Sequence, residues 1–199
     1  MLVELSGFQD LIHDSQSTFK TLLDALSRPG TINKIDVQLT LTPPSGLNVA
    51  CAAACLTLFD LETIIWLQPG LKEEVKNWLL FHTGCRFTGD IKKADFAVIW
   101  DINNMPDLSK FKQGTAVYPE DSTTLLIMVE MFHEKSLQQQ KLTGAGINRQ
   151  ITMPINLSDS FWQQWQQNHN SYPQGIDIYF FSETQVIGLP RTSKHSIID

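Results

Sequence analysis

The sequence predicts an α/β fold with a mixed sheet and helices on both faces, and three observations carry that expectation. Helical and strand-like hydrophobic periods alternate through the first half, and hairpin-like strand pairs replace them in the second. The composition, 42% hydrophobic against 18% charged in 199 residues, suits one compact core. No linker, repeat or low-complexity stretch divides the chain, so residues 1–199 read as a single domain.

The elements follow in order. Phe8, Leu11, Ile12, Phe19, Leu22, Leu23 and Leu26 recur at the spacing of an amphipathic helix, which "RPG" at Arg28 to Gly30 stops. Val37, Leu39 and Leu41 alternate with polar residues as in a half-buried strand closed by Pro43 and Pro44. The small-residue run from Leu47 to Phe59 reads as a buried helix, and Thr63 to Leu67 as a short strand. "LKEEVKNWLLFHTG" is a second amphipathic helix with Glu73 and Glu74 in its first turn, where the helix dipole favours negative charge. Asp95 to Trp100 and Thr123 to Phe132 are apolar strands, and "SLQQQKLTGAGI" reads as a strand returning antiparallel to the second of these across "HEKS". Ser158 is placed to cap the helix "DSFWQQWQQNH". "IDIYFF" and "TQVIGLP" form a final hairpin across "SET", and "RTSKHSIID" reads as a tail.

Charge and cysteine usage exclude several classes. Fifteen basic against 21 acidic residues give a net charge of −6 without a basic run, which argues against a nucleic-acid partner, since phosphate neutralisation dominates such binding. No stretch nears the ~18 consecutive apolar residues of a membrane span, and the amino terminus carries acids where a signal peptide carries bases; a cytoplasmic location is expected. Three cysteines do not make a disulfide framework. Cys51 and Cys55 share a helix face but lack a second ligand pair for zinc, and Cys85 stands alone, so all three read as small buried hydrophobes and no metal site is expected.

Five segments carry polar chemistry. "KLTGAGINRQ" resembles a phosphate cradle, with Thr143 ahead of Gly144 and Gly146 and cations at Lys141 and Arg149. It fails the dinucleotide fingerprint, because Arg149 occupies the third glycine position, and it lacks the Gly-Lys-Ser/Thr of a Walker loop. A tight turn with positive φ is the plainer reading. Asp177 begins one strand of the final hairpin and Arg191 follows the other, so carboxylate and guanidinium either pair or share a phosphorylated ligand. His82 and Thr83, at a helix end, and Glu120, in a proline turn, are weaker candidates.

Taken together in chain order, "FKTLLDALSRPG", "FHTG", "GTAVYPE", "LTGAGI", "YPQGID" and "LPRT" resemble the PhnH subunit family of the bacterial carbon-phosphorus lyase system for phosphonate breakdown. The resemblance runs from about Phe19 to Thr192, with Leu26, Tyr172 and Ser193 departing from the family pattern. It implies a three-layer α/β/α sandwich resembling the large domain of PLP-dependent transferases but without PLP or any other cofactor. It also implies a homodimer that joins sibling subunits, in a complex that transfers a phosphonate onto the ribose of a nucleoside triphosphate. The chain is then a component of a transferase rather than a complete enzyme. No catalytic residue carries over; Thr143, Gly144, Gly146, Asp177, Arg191 and Thr192 are the candidate ligand or partner contacts, and Thr143 and Arg191 are expected to share one polar site. The alternatives are a free-standing phosphate- or nucleotide-handling transferase built on Arg191 and the glycine loop, and a PLP enzyme, for which no lysine stands out.

Overall fold

Alternating side chains along the central strands divide the core into two halves. The computed structural model describes residues 6–36, 41–132 and 140–196. In chain order its elements are α1 (Leu11–Ser27), β1 (Asn33–Lys34), α2 (Val49–Leu58), β2 (Ile64–Leu67), α3 (Glu73–Thr83), β3 (Arg86–Phe87), β4 (Phe96–Ile99), β5 (Thr124–Met128), β6 (Lys141–Thr143), β7 (Ile151–Thr152), α4 (Asp159–Asn170), β8 (Asp177–Ser182), β9 (Gln185–Leu189) and β10 (Lys194–Ser196). The described strands form a seven-stranded sheet of order β1-β9-β8-β5-β4-β2-β3 and a three-stranded sheet of order β10-β6-β7. Strands β3, β2, β4, β5 and β8 run parallel, and β9 and β1 each pair antiparallel with their neighbours, so the main sheet is mixed as expected.

Strands buried on both faces need apolar residues at every position, which is why β4, β5 and β8 read as continuous hydrophobic runs. Leu126, Tyr179, Phe181, Val98 and Ile65 face α1, α2 and α3. Leu125, Ile127, Ile178, Phe180 and Ile99 face α4, with its Phe161, Trp162 and Trp165. Helices therefore cover both faces. Helix α2 is capped by Asn48, whose side chain accepts from the Cys51 amide while its Nδ2 donates to the Phe181 carbonyl, 3.1 Å away. Residues Ala50 to Cys55 are wholly enclosed, and only small side chains allow a helix to be packed on all sides in this way. All three cysteines are buried and unpaired. Ser158 caps α4 as expected, accepting from the Phe161 amide at 3.2 Å.

Four details differ from the sequence reading. Helix α1 begins at Leu11 behind an Asp10 cap and buries Asp14, Thr18, Leu22 and Ala25, while Leu11, Ile12, Phe19 and Leu23 remain exposed. The periodicity located the helix but not the face that meets the sheet. Strand β5 stops at Met128, and both its edges are occupied by β4 and β8, so "KLTGAGI" cannot return beside it. That segment supplies β6, which pairs instead with β10, Lys194 opposite Thr143, so the supposed tail is a strand. Val37 and Leu39 lie outside the described residues, as does the "HEKS" connection. No described helix is long and apolar enough to cross a membrane.

Candidate functional site

The hairpin register brings Arg191 back over the start of β8, because Ile178 pairs with Leu189 and the next residues outward are Asp177 on one strand and Pro190 and Arg191 on the other. Asp177 Oδ1 accepts from the Arg191 backbone amide at 2.7 Å and from Nε at 3.2 Å, while Oδ2 accepts from Nε at 3.2 Å and Nη2 at 2.6 Å. Nη2 also donates to Ser122 Oγ at 2.6 Å, and Nη1 to the carbonyls of Pro119, at 2.9 Å, and Pro173, at 3.3 Å. A guanidinium has five N–H groups, one on Nε and two on each terminal nitrogen, and these partners occupy them all. The two side chains are only 12% and 22% exposed. Of the two readings open in the sequence, the structure shows the ion pair, with no N–H left over for a phosphate.

Location points the same way. Asp177 opens β8 and Ser122 precedes β5, so this hub lies at the amino ends of parallel strands, whereas open α/β sheets take ligands at the carboxyl ends. Beyond the carboxyl end of β4, a cavity of about 380 Å³ is lined by Asn103, Asp107, Ser158, Ser160 and Gln164, among others. Its one charged lining residue is the acid Asp107, which disfavours an anionic ligand. Among the described residues, no three of His, Cys, Asp and Glu converge as metal ligands.

The glycine loop lies against the loop that carries Arg191, as expected, but the contact is backbone to backbone. Gly144 and Gly146 have φ of 136° and 78°, and a Cβ on Gly144 would stand 2.7 Å from the Thr192 carbonyl oxygen. A Cβ on Gly146 would collide with the Ser27 carbonyl oxygen and approach Pro29 Cδ to 3.1 Å. Thr143 is held opposite Lys194 in the small sheet, and every Arg191 donor is engaged elsewhere, so the shared Thr143–Arg191 site is not formed. Ser193 Oγ is buried without a hydrogen-bond partner among the described residues, and the Ser193 carbonyl accepts from Trp165 Nε1 at 3.0 Å.

The model of a family described as bacterial phosphonate metabolism protein (PhnH) matches residues 6–196. The chain belongs to this family. It is 35% identical over 190 residues, 94% of this chain and 93% of the relative, to the alpha-D-ribose 1-methylphosphonate 5-triphosphate synthase subunit PhnH of Rhizobium meliloti (strain 1021). It is also 25% identical over 187 residues, 89% of this chain and 84% of the relative, to a putative C-P lyase subunit protein HtxG of Stutzerimonas stutzeri.

In this PhnH-family chain most of the ordered motifs meet at one end of the sheet. Ser27 and Pro29 touch the glycine loop, that loop touches Thr192, and Arg191 ties Pro119 to Pro173 and Asp177. "FHTG" lies elsewhere: His82 packs against Trp78 and Phe81 and under Gly7, and Thr83 Oγ1 donates to the Leu79 carbonyl at 2.8 Å and accepts from the Cys85 amide at 3.2 Å. Glu120 is exposed on the rim of the hub, in the turn Pro119–Asp121. Sequence reasoning missed Ser122 and the two proline carbonyls. Only the prolines were visible in advance, as parts of motifs.

Proposed function

We propose that this chain is a subunit of the carbon-phosphorus lyase machinery of phosphonate catabolism, supporting formation of alpha-D-ribose 1-phosphonate 5-triphosphate from a nucleoside triphosphate and an alkylphosphonate. The observation that carries the reading is family membership over 6–196, joined to a 35% identical relative that bears the synthase subunit name. The commitment of Arg191 to internal partners supports a component that works through its siblings rather than a free-standing transferase. We read 1–199 as one unit, kin in fold to the large domain of PLP-dependent transferases but without that cofactor; a mixed, largely parallel sheet covered on both faces supports this kinship. A cytoplasmic setting fits three unpaired thiols.

The chain works as a homodimer in this reading. The exposed stripe Ile12, Phe19 and Leu23 on α1 is the apolar face a two-fold partner would cover. Co-expression with the other subunits of a phosphonate operon, followed by size-exclusion chromatography, tests the assignment: one peak containing all subunits is expected. Turnover of nucleoside triphosphate and methylphosphonate by the purified chain alone would show instead a self-sufficient enzyme.

A further inference from the structure

The hub has an outward side that the internal role of Arg191 does not account for. Arg191 Nη1 fastens the carbonyls of Pro119 and Pro173, the residues that follow Tyr118 and Tyr172. The same two loops are cross-linked where the Gly175 amide donates to the Gln113 carbonyl at 2.9 Å and Gln174 Nε2 to the Gly114 carbonyl at 3.3 Å. The first loop is closed on itself by Thr115, whose amide donates to the Tyr118 carbonyl and whose Oγ1 accepts from the Tyr118 amide. On this tied backbone Val117 is 74% exposed, Tyr118 58% and Tyr172 62%. A backbone already tied in place spares association the cost of ordering the loops, and tyrosine is among the residues that dominate binding energy at protein interfaces.

The charge of this face is one-sided. Glu120 and Asp121 are exposed beside Tyr118 and make no ion pair among the described residues. Arg191 is neutralised by Asp177, and the nearby Lys112 is paired with Asp95 at 3.4 Å. A second copy of this chain would bring the same two acids, and the protein is acidic as a whole at −6, so self-association here is opposed by charge.

We infer that the paired loops carrying Val117, Tyr118 and Tyr172 are the docking surface for a sibling subunit of the phosphonate complex, one that offers an apolar socket for the two tyrosines and lysine or arginine side chains opposite Glu120 and Asp121. The inference rests on the subunit reading above. Arg191 is then a positioning residue for an interface, which gives a reason for several family motifs to converge on a guanidinium whose own N–H groups are all engaged inside the chain.

The experiment uses the full chain co-expressed with its operon siblings and read by size-exclusion chromatography with light scattering, and by binding titration of the purified partners. Tyr118→Ala with Tyr172→Ala is expected to weaken sibling binding at least tenfold while melting temperature and self-association match wild type. Glu120→Lys with Asp121→Lys, which leaves the tyrosines in place, is expected to weaken binding several-fold and to flatten its salt dependence. Wild-type affinity in both variants, or loss of self-association in either, overturns the docking surface and leaves the subunit assignment standing. Failure of the wild-type chain itself to join any sibling overturns the assignment and this inference together.

Discussion

Asp177 receives both the backbone amide and the guanidinium of Arg191, so one carboxylate fixes where the chain turns after β9 and where the arginine head points. Ser122 and two proline carbonyls complete the shell from distant parts of the sequence. The arrangement joins three loops through one cation, and its removal would leave a largely buried carboxylate with the backbone amide but without its countercharge, and the Ser122 and proline acceptors without this donor.

Arg191→Ala is therefore expected to destabilise the fold by about 3 kcal/mol, the scale of breaking one partner out of a buried pair, or roughly 6–12 °C in Tm. Arg191→Lys should recover little, because a single ammonium cannot reproduce the planar fork. Thermal and urea unfolding check this; Tm values within a degree of wild type in both variants would contradict the internal role.

Gly146→Ala should cost more than Gly144→Ala. Both positions hold positive φ, but the new methyl at 146 meets the Ser27 carbonyl with the backbone of α1 behind it. Equilibrium unfolding of the two variants gives the order directly, and equal losses would mean that φ strain alone decides.

Asn168 bonds Ile176 on both sides, its Oδ1 accepting from the amide at 2.8 Å and its Nδ2 donating to the carbonyl at 3.0 Å. Asn168→Leu leaves both backbone groups buried and unpaired, and a loss of about 2–4 kcal/mol is expected from chemical denaturation. Asn168→Asp should keep the amide contact and lose the other.

His195 is buried, stacked on Trp162 with ring centroids 4.2 Å apart and joined through Nε2 to Gln140 Oε1. Burial lowers its pKa, with the charge of Asp159 opposing. A histidine held neutral in the fold but free to protonate when unfolded contributes stability above the unfolded value of about 6.5, lost as pH falls through the lower folded value. Stability measured from pH 7.5 to 5 should thus decline, and His195→Gln should flatten that decline.

Phe19→Asp on α1 is expected to leave the fold intact and yield a single-chain mass by light scattering, since the side chain is exposed in the isolated chain. A two-chain mass that survives the change would move the homodimer contact away from α1.

What could be read in advance depended on how local the cause was. The runs that became α2, β2, β4 and the β8–β9 hairpin are marked by their own apolar composition, length and turn chemistry, and Ser158 carries its own cap. Strand β6 is three residues long and its partner begins at Lys194, so nothing nearby in sequence announces the pairing. The stripe on α1 misled for a related reason: Asp14 and Thr18 face inward while Phe19 and Leu23 face out, and only tertiary packing decides between adjacent faces. Arg191 and Asp177 were recognisable as a pair, but the acceptors that complete the guanidinium come from Pro119, Ser122 and Pro173, and a carbonyl leaves no mark in a sequence.

Placing β9 between β8 and β1 has a bearing on how the protein is made. Asn33 pairs with Val186, and the Tyr179 hydroxyl donates to the Leu22 carbonyl across 157 positions. During translation the segment of α1 and β1 emerges well before the strands it lies against, by roughly ten seconds or more at ordinary elongation rates. Through that interval the nascent chain carries an unlatched helix with an apolar flank. Expression at low temperature or with ribosome-associated chaperones should therefore raise the soluble yield more than any change in the finished molecule's stability would.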